Sequence, residues 1–226
     1  MTGYVNPAHR GRRCRPAFRL LAATGLLLAA CGGRERPPQL AAVADAPALR
    51  PGSTWTYRVE DSSESAPRML TLTFQREDMY KGYPALVFAV GSDTLIYDRN
   101  LNFVARFANE RIRREASPSY RSFDFPFYVD KEWHAVFTFQ DHDRTLSWAP
   151  VEVYWKVKEY DRITVPAGEF RAFRLVSEPI TNWGVEEEVW YAPEVMLPVK
   201  WKHKRTAAHY LGKGRQTAEL VEYRLK

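Results

Sequence analysis

From Ser53 onward the apolar residues recur at every second position, and no stretch sustains a helical stripe for three turns. Trp55, Tyr57 and Val59 alternate with Thr54, Thr56 and Arg58; Leu70, Leu72 and Phe74 alternate with Thr71 and Thr73. Val151, Val153, Trp155 and Val157 alternate with Glu152, Tyr154, Lys156 and Lys158. Successive side chains of a strand point to opposite faces, so each run describes a strand with one face buried and the other wet. Further strands read at about 84–90, 93–98, 102–108, 132–141, 169–177, 185–191, 198–205 and 217–225. Joined by short turns, they predict an all-β domain over 53–226. The expected form is a single curved antiparallel sheet of about nine to eleven strands, rolled into a half-barrel or barrel, or folded as a sandwich.

The clearest turn is Val165-Pro166-Ala167-Gly168-Glu169-Phe170. Pro166 presets the first turn angle, and Gly168 supplies the left-handed conformation that closes a three-residue hairpin loop. A possible internal repeat lies elsewhere. Tyr97-Asp98-Arg99-Asn100-Leu101-Asn102-Phe103-Val104-Ala105-Arg106-Phe107 aligns without gaps on Tyr191-Ala192-Pro193-Glu194-Val195-Met196-Leu197-Pro198-Val199-Lys200-Trp201. Two readings stay open: related β-modules at 51–107 and 129–205, or amphipathic hairpins matched by pattern alone. The segment 108–128, rich in Arg, Ser and Pro, reads as a crossover loop between them.

Charge is unevenly placed. The chain carries 33 Lys plus Arg against 27 Asp plus Glu, a formal +6. Five arginines (Arg10, Arg12, Arg13, Arg15, Arg19) fall in residues 1–30, which hold no acid, and the remainder is nearly neutral. The excess therefore belongs to a leader, and a nucleic-acid-binding domain is not indicated. That leader has an Arg-rich start, an apolar stretch from Leu20 to Ala30, and then Leu28-Ala29-Ala30-Cys31. It resembles a bacterial lipoprotein signal over residues 1–30, with small side chains before the cut and lipid attachment at Cys31. The apolar stretch is too short for a span of about 20 residues. Cys14-Arg15-Pro16 behind Arg12-Arg13 departs from a twin-arginine pattern and favours general secretion. The resemblance implies an acylated N-terminus, a palmitate-type membrane anchor, and, with Gly32 rather than Asp after the cysteine, the outer membrane with the domain facing the periplasm. Residues 31–52, rich in Gly, Pro and Ala, read as a flexible tether. With Cys14 in the leader, Cys31 is the sole cysteine left, so a disulfide framework is excluded.

Chemistry-bearing motifs are sparse. There is no Gly-x-Ser-x-Gly, His-Glu-x-x-His, phosphate loop or dinucleotide fingerprint, and no cofactor is expected. Asp141-His142-Asp143, with His134, is the best metal candidate, but adjacent strand residues diverge, and a polar hairpin tip accounts for it more simply. Glu186-Glu187-Glu188 and Lys200-Trp201-Lys202-His203-Lys204-Arg205 suit a carboxylate pair, an anion patch or cross-strand ion pairing. Alternation favours pairing, with Glu188 near Lys202, Glu186 near Lys204 and His203 inward as a hydrogen-bonded residue. Trp155 and Trp201, on the apolar faces of their strands, are the candidate ligand contacts. A curled sheet without a filling helix leaves an apolar cleft.

Four segments together carry a resemblance: Pro51-Gly52-Ser53-Thr54-Trp55-Thr56-Tyr57, Phe125-Pro126-Phe127-Tyr128-Val129-Asp130-Lys131-Glu132-Trp133, Val165-Pro166-Ala167-Gly168-Glu169-Phe170, and Trp190-Tyr191-Ala192-Pro193-Glu194-Val195 with Pro198-Val199-Lys200. They are similar to a widespread group of proteobacterial periplasmic proteins and lipoproteins, over most of residues 49–226. The one departure is Asp130, where the group has Gly. The resemblance implies a curved-sheet domain like the half-barrels that carry lipoproteins across the periplasm, and it brings no catalytic residue. The expected function is a non-enzymatic, lipid-anchored β-domain that binds an apolar or amphipathic ligand (a lipid or a glycan) or an envelope partner protein. The alternatives are an envelope-polymer hydrolase or transferase built on a carboxylate pair, and a structural accessory subunit of an envelope assembly.

Overall fold

The computed structural model describes residues 43–181 and 183–226; the leader, Cys31 and the first part of the tether lie outside them. Twelve strands follow one another: β1 (Thr54–Asp61), β2 (Arg68–Tyr80), β3 (Tyr83–Val90), β4 (Asp93–Tyr97), β5 (Phe103–Ala108), β6 (Arg111–Tyr120), β7 (Glu132–Asp141), β8 (Leu146–Val165), β9 (Gly168–Pro179), β10 (Val185–Ala192), β11 (Leu197–Arg205) and β12 (Gly214–Arg224). Each pairs antiparallel with the next, and β12 returns to β1 from Thr54↔Arg224 to Asp61↔Gln216, closing an up-and-down barrel. The sheet is therefore single, antiparallel and closed, not the half-barrel that the resemblance implied. Closure gives the first and last strands the backbone partners that an open edge would leave bare.

The segment 108–128 is not a crossover loop. Its first half is β6, paired with β5 and β7. The β5–β6 ladder slips register twice, between Phe103/Ala105 and between Arg106/Phe107, so no simple two-residue period survives along it. Its inward residues include Arg114, which lines the interior and breaks the apolar pattern further. The stretches aligned as a repeat are the hairpins β4–β5 and β10–β11. The β8–β9 loop holds two residues, Pro166 and Ala167, not three: Gly168 pairs directly with Val165 at φ +133°, a conformation that only glycine adopts freely. Asp130 takes φ +69°, which a short polar side chain tolerates.

In such a meander the connections alternate between the two ends. At the end carrying the β2–β3, β4–β5, β6–β7, β8–β9 and β10–β11 connections, the segment 121–131 fills the barrel. Phe127 is fully buried, 5.4 Å from the Tyr191 ring, 6.0 Å from Phe173 and 6.2 Å from Trp133, centroid to centroid. Ala44, in the stretch read as a tether, pairs with it: Ala44 N donates to Phe127 O at 3.0 Å, and Phe127 N to Ala44 O at 2.7 Å. Buried Asn102 fastens the segment, accepting from Phe123 N at 2.7 Å and donating to Phe123 O at 3.0 Å. Trp55 Nε1 donates to Val195 O at 2.9 Å, so the large indole keeps a partner while buried.

The outer face of β10–β12 is charged, while that of β3–β5 carries a small apolar cluster of Ala85, Val87, Ile96 and Ala105. Lys204 pairs with Glu186 at 2.7 Å, Lys202 with Glu188 at 3.8 Å and Lys200 with Glu219 at 2.7 Å. The β10–β11 register places Glu186 opposite Lys204 and Glu188 opposite Lys202; a bulge then brings Tyr191 against Pro198. These paired charges interrupt any outward apolar band along β10–β12.

Candidate functional site

Beyond the plug, the other half of the barrel is hollow. The cavity measures about 510 Å³. Its floor is Phe123, Leu101 and Phe103 from the plugged end, and its walls are Leu70, Leu72, Phe88, Leu95 and Val189. Charge enters only near the opposite end, and strand register orders it in layers. Val185, Arg205 and Gly214 lie in the outermost layer; Glu187, His203 and Gln216 come next; Val189, Trp201 and Ala218 lie deeper. A β-carbon at Gly214 would collide with the Arg205 guanidinium, so this glycine gives the arginine room to lie across β12.

Tyr120, Glu187 and His203 form one network inside the hollow. The Tyr120 hydroxyl donates to Glu187 Oε2, and His203 Nε2 lies 3.0 Å from Oε1. The Glu187 N–H donates to Ser177 Oγ at 2.8 Å. Burial raises the Tyr120 phenol well above its ordinary value, and the Glu187 charge adds to it, so it remains a donor. Tyr97 is raised by burial to about 12, and Tyr57 is raised too while donating to Pro198 O at 2.9 Å. Glu187 is the single carboxylate among the described residues that line the cavity. Its neighbours Glu186 and Glu188 point outward to lysines, so the carboxylate pair of the hydrolase alternative is not assembled here.

The 206–213 connection folds over the mouth. Thr206 N donates to Gly184 O at 2.8 Å, and the Tyr210 hydroxyl reaches across to buried Asp141 at 2.8 Å. His209 packs on Trp183, centroids 5.9 Å apart. Gly184 lies so close beneath that a β-carbon would come within 2.5 Å of the His209 nitrogen. His209 is lowered to about 4 by burial, then by the Arg205 and Arg114 charges, so it is neutral near pH 7. Its Nδ1 accepts from Leu211 N at 3.1 Å. Burial pushes Asp141 up, but the Tyr210 hydroxyl and the charges of Arg114 and Arg144 outweigh it and hold the carboxyl below its usual range.

Several donors in this hollow lack acceptors. Among the described residues, Trp183 Nε1 and Arg205 Nε are buried without a hydrogen-bond partner; Trp183 is 8% exposed. The Trp155 N–H lies beside the Tyr120 hydroxyl but also makes no hydrogen bond of adequate geometry. Each unmade bond of a buried donor costs about 1–3 kcal/mol.

Both tryptophans read from the sequence line this cavity, in different ways. Trp155 is wholly buried and stacked on Trp133, with centroids 6.0 Å apart and planes 5° off parallel. Trp201 is half-buried, leaning on Tyr57 at 4.7 Å. Trp183 and His209 escaped the sequence reading. Arg205 was read only as one member of a basic run, as an anion patch or in cross-strand pairing, whereas the β10–β11 register sets it with Trp201 and His203 on the inward face of β11. The metal candidate is dispersed: Asp141 binds Tyr210 and arginines, Asp143 lies 2.5 Å from Arg113, and His134 lies 3.2 Å from Glu152. No cluster of three or more metal-binding side chains exists among the described residues.

Fold and cavity together define an all-β, up-and-down closed barrel with a plugged end and a partly open, largely apolar hollow. No protein-family model and no curated protein matches the sequence. The chain is similar to solved structures at low identity. One is a proposed lipoprotein of Parabacteroides distasonis (11% identity, TM-score 0.39, 80% of this chain and 99% of that one). Another is a proposed exported protein of Bacteroides fragilis with a YmcC-like fold (11%, 0.42, 80% and 99%). A third is the hypothetical lipoprotein YmcC of Escherichia coli (5%, 0.43, 75% and 84%).

Proposed function

We propose that this chain is a lipid-anchored protein of the cell envelope, tied through Cys31 to the outer membrane on its periplasmic side, whose barrel holds an apolar or amphipathic small molecule. The observation that carries the binding role is the hollow itself: about 510 Å³, walled by leucine, phenylalanine and tryptophan, within the range of about 300–1,000 Å³ typical of small-molecule sites. Leu28-Ala29-Ala30-Cys31 supports the anchor. Trp201 is the wall residue best placed to meet the ligand, because part of its ring is left uncovered. The protein acts by sequestration, shielding an apolar group from water, and the reading assigns it no bond-making step. Native mass spectrometry of the gently extracted protein, combined with titration of a neutral apolar dye, tests this. A bound small molecule, or dye fluorescence that rises and is quenched by competing lipid, is expected. A bare mass together with a silent dye overturns the binding role.

A further inference from the structure

We propose that the ligand is a single-chain amphiphile with an anionic head, its acid group held at the mouth by Arg205 and Trp183 and its tail laid on the aromatic floor. This rests on the cavity reading above and deepens it.

The polarity of the hollow sets the orientation. Apolar side chains occupy the floor and walls, and the cations Arg106, Arg114, Arg205 and Arg215 gather near the lidded end, Arg215 at an exposed, outward strand position between Gly214 and Gln216. Two of those cations are already engaged: Arg106 with Asp93 at 2.8 Å, and Arg114 with buried Asp141 at 3.5 Å. Arg205 makes no ion pair among the described residues, and its Nε is buried without an acceptor. Asp61 feels its charge but closes no ion pair with it, being held instead by Ser63 and Gln216. Trp183 Nε1, lining the same cavity, is a second buried donor with nothing to donate to. Two unmet donors, one of them cationic, ask for an acceptor that carries negative charge.

Depth restricts where the head can sit. Glu187 lies one layer below Arg205 in the β10–β11 ladder, and its carboxylate would repel an acid group placed any deeper. The head therefore stays in the outermost layer, beneath His209, while the tail passes Glu187 toward Phe123 and Phe103. Size restricts the tail. An apolar cavity of roughly 150 Å³ accommodates one benzene ring, so a hollow of about 510 Å³ suits one chain.

The test compares palmitate, hexadecyl phosphate and hexadecanol, which share a tail and differ in the head, binding to the full chain carrying Cys31→Ser. Each is read by displacement of the neutral dye. The expected result is that at least one anionic probe binds about tenfold or more tighter than the alcohol. That preference is expected to vanish in Arg205→Gln and to shrink in Trp183→Phe, while alcohol binding persists in both. Which anion wins tells a carboxylate head from a phosphate one. Equal binding of all three probes overturns the anionic-head assignment and leaves the cavity reading standing. A preference that survives both substitutions overturns the site. If none of the three displaces a dye that does bind, the single-chain assignment falls and the cavity reading stands; only a dye that is itself silent, with a bare mass, takes the cavity reading down as well.

Discussion

The two ends of the barrel solve the same problem in opposite ways. A ring of twelve strands encloses more interior than its own inward side chains fill, and each end must deal with the surplus. At one end the segment 121–131 turns inward and packs Phe123 and Phe127 among Tyr191, Phe173 and Trp133, with Asn102 meeting the backbone of Phe123. At the other the 206–213 connection lies across the top, held by single contacts such as Tyr210 to Asp141, and leaves a hollow whose donors are unmet. The plugged end satisfies its polar groups; the lidded end does not. Interiors that serve only stability resemble the first.

The difference can be broken at its strongest point. Phe127→Ala removes a fully buried ring from the plug and is expected to cost about 3–5 kcal/mol in chemical denaturation. A loss below about 1 kcal/mol would mean that the plug is not a packed core.

The two tryptophans sharpen the contrast within the cavity wall. Trp155→Ala, stacked against Trp133, is expected to behave like a plug mutation, at about 3–5 kcal/mol. Trp201→Ala should cost under about 2 kcal/mol while weakening dye binding, because part of its ring faces the hollow. Equal destabilisation with intact binding would assign both to structure alone.

The smallest expected effect concerns pH. His209 has a folded value of about 4, below its ordinary 6.5, so the unfolded chain binds the extra proton between those values. Its contribution to stability is thus complete above about 6.5 and is lost as pH falls toward 4. The loss is capped near 1–2 kcal/mol, since the lid can open and let the imidazole protonate without unfolding the barrel. Denaturation of wild type and His209→Asn at pH 7 and pH 5 checks this: wild type should lose more, and a parallel loss would exclude the lid as the sensitive element.

How much of this was legible depended on whether neighbouring side chains kept a strict period. Tyr57 on β1 and Val153 on β8 sit in unbroken alternation, and their strands could be read directly. β6 could not, because bulges shift its pairing with β5 and its inward Arg114 serves the mouth rather than a core. Closure was also hidden, since the pairing of Thr54 with Arg224 joins opposite ends of the chain and leaves no local trace. Trp155 and Trp201 could be named as wall residues from alternation alone. Trp183 could not, because it lies in the β9–β10 connection, where no period applies, and its role comes from the lid that folds over it.

The closing of β1 onto β12 also fixes a pole. Lys226 N donates to Ser53 Oγ at 3.1 Å, and Ala44 bonds to Phe127, so the chain leaves the barrel at the plugged end on both sides. Entry and exit thus share one pole, and the lidded mouth is the end of the barrel farthest from both.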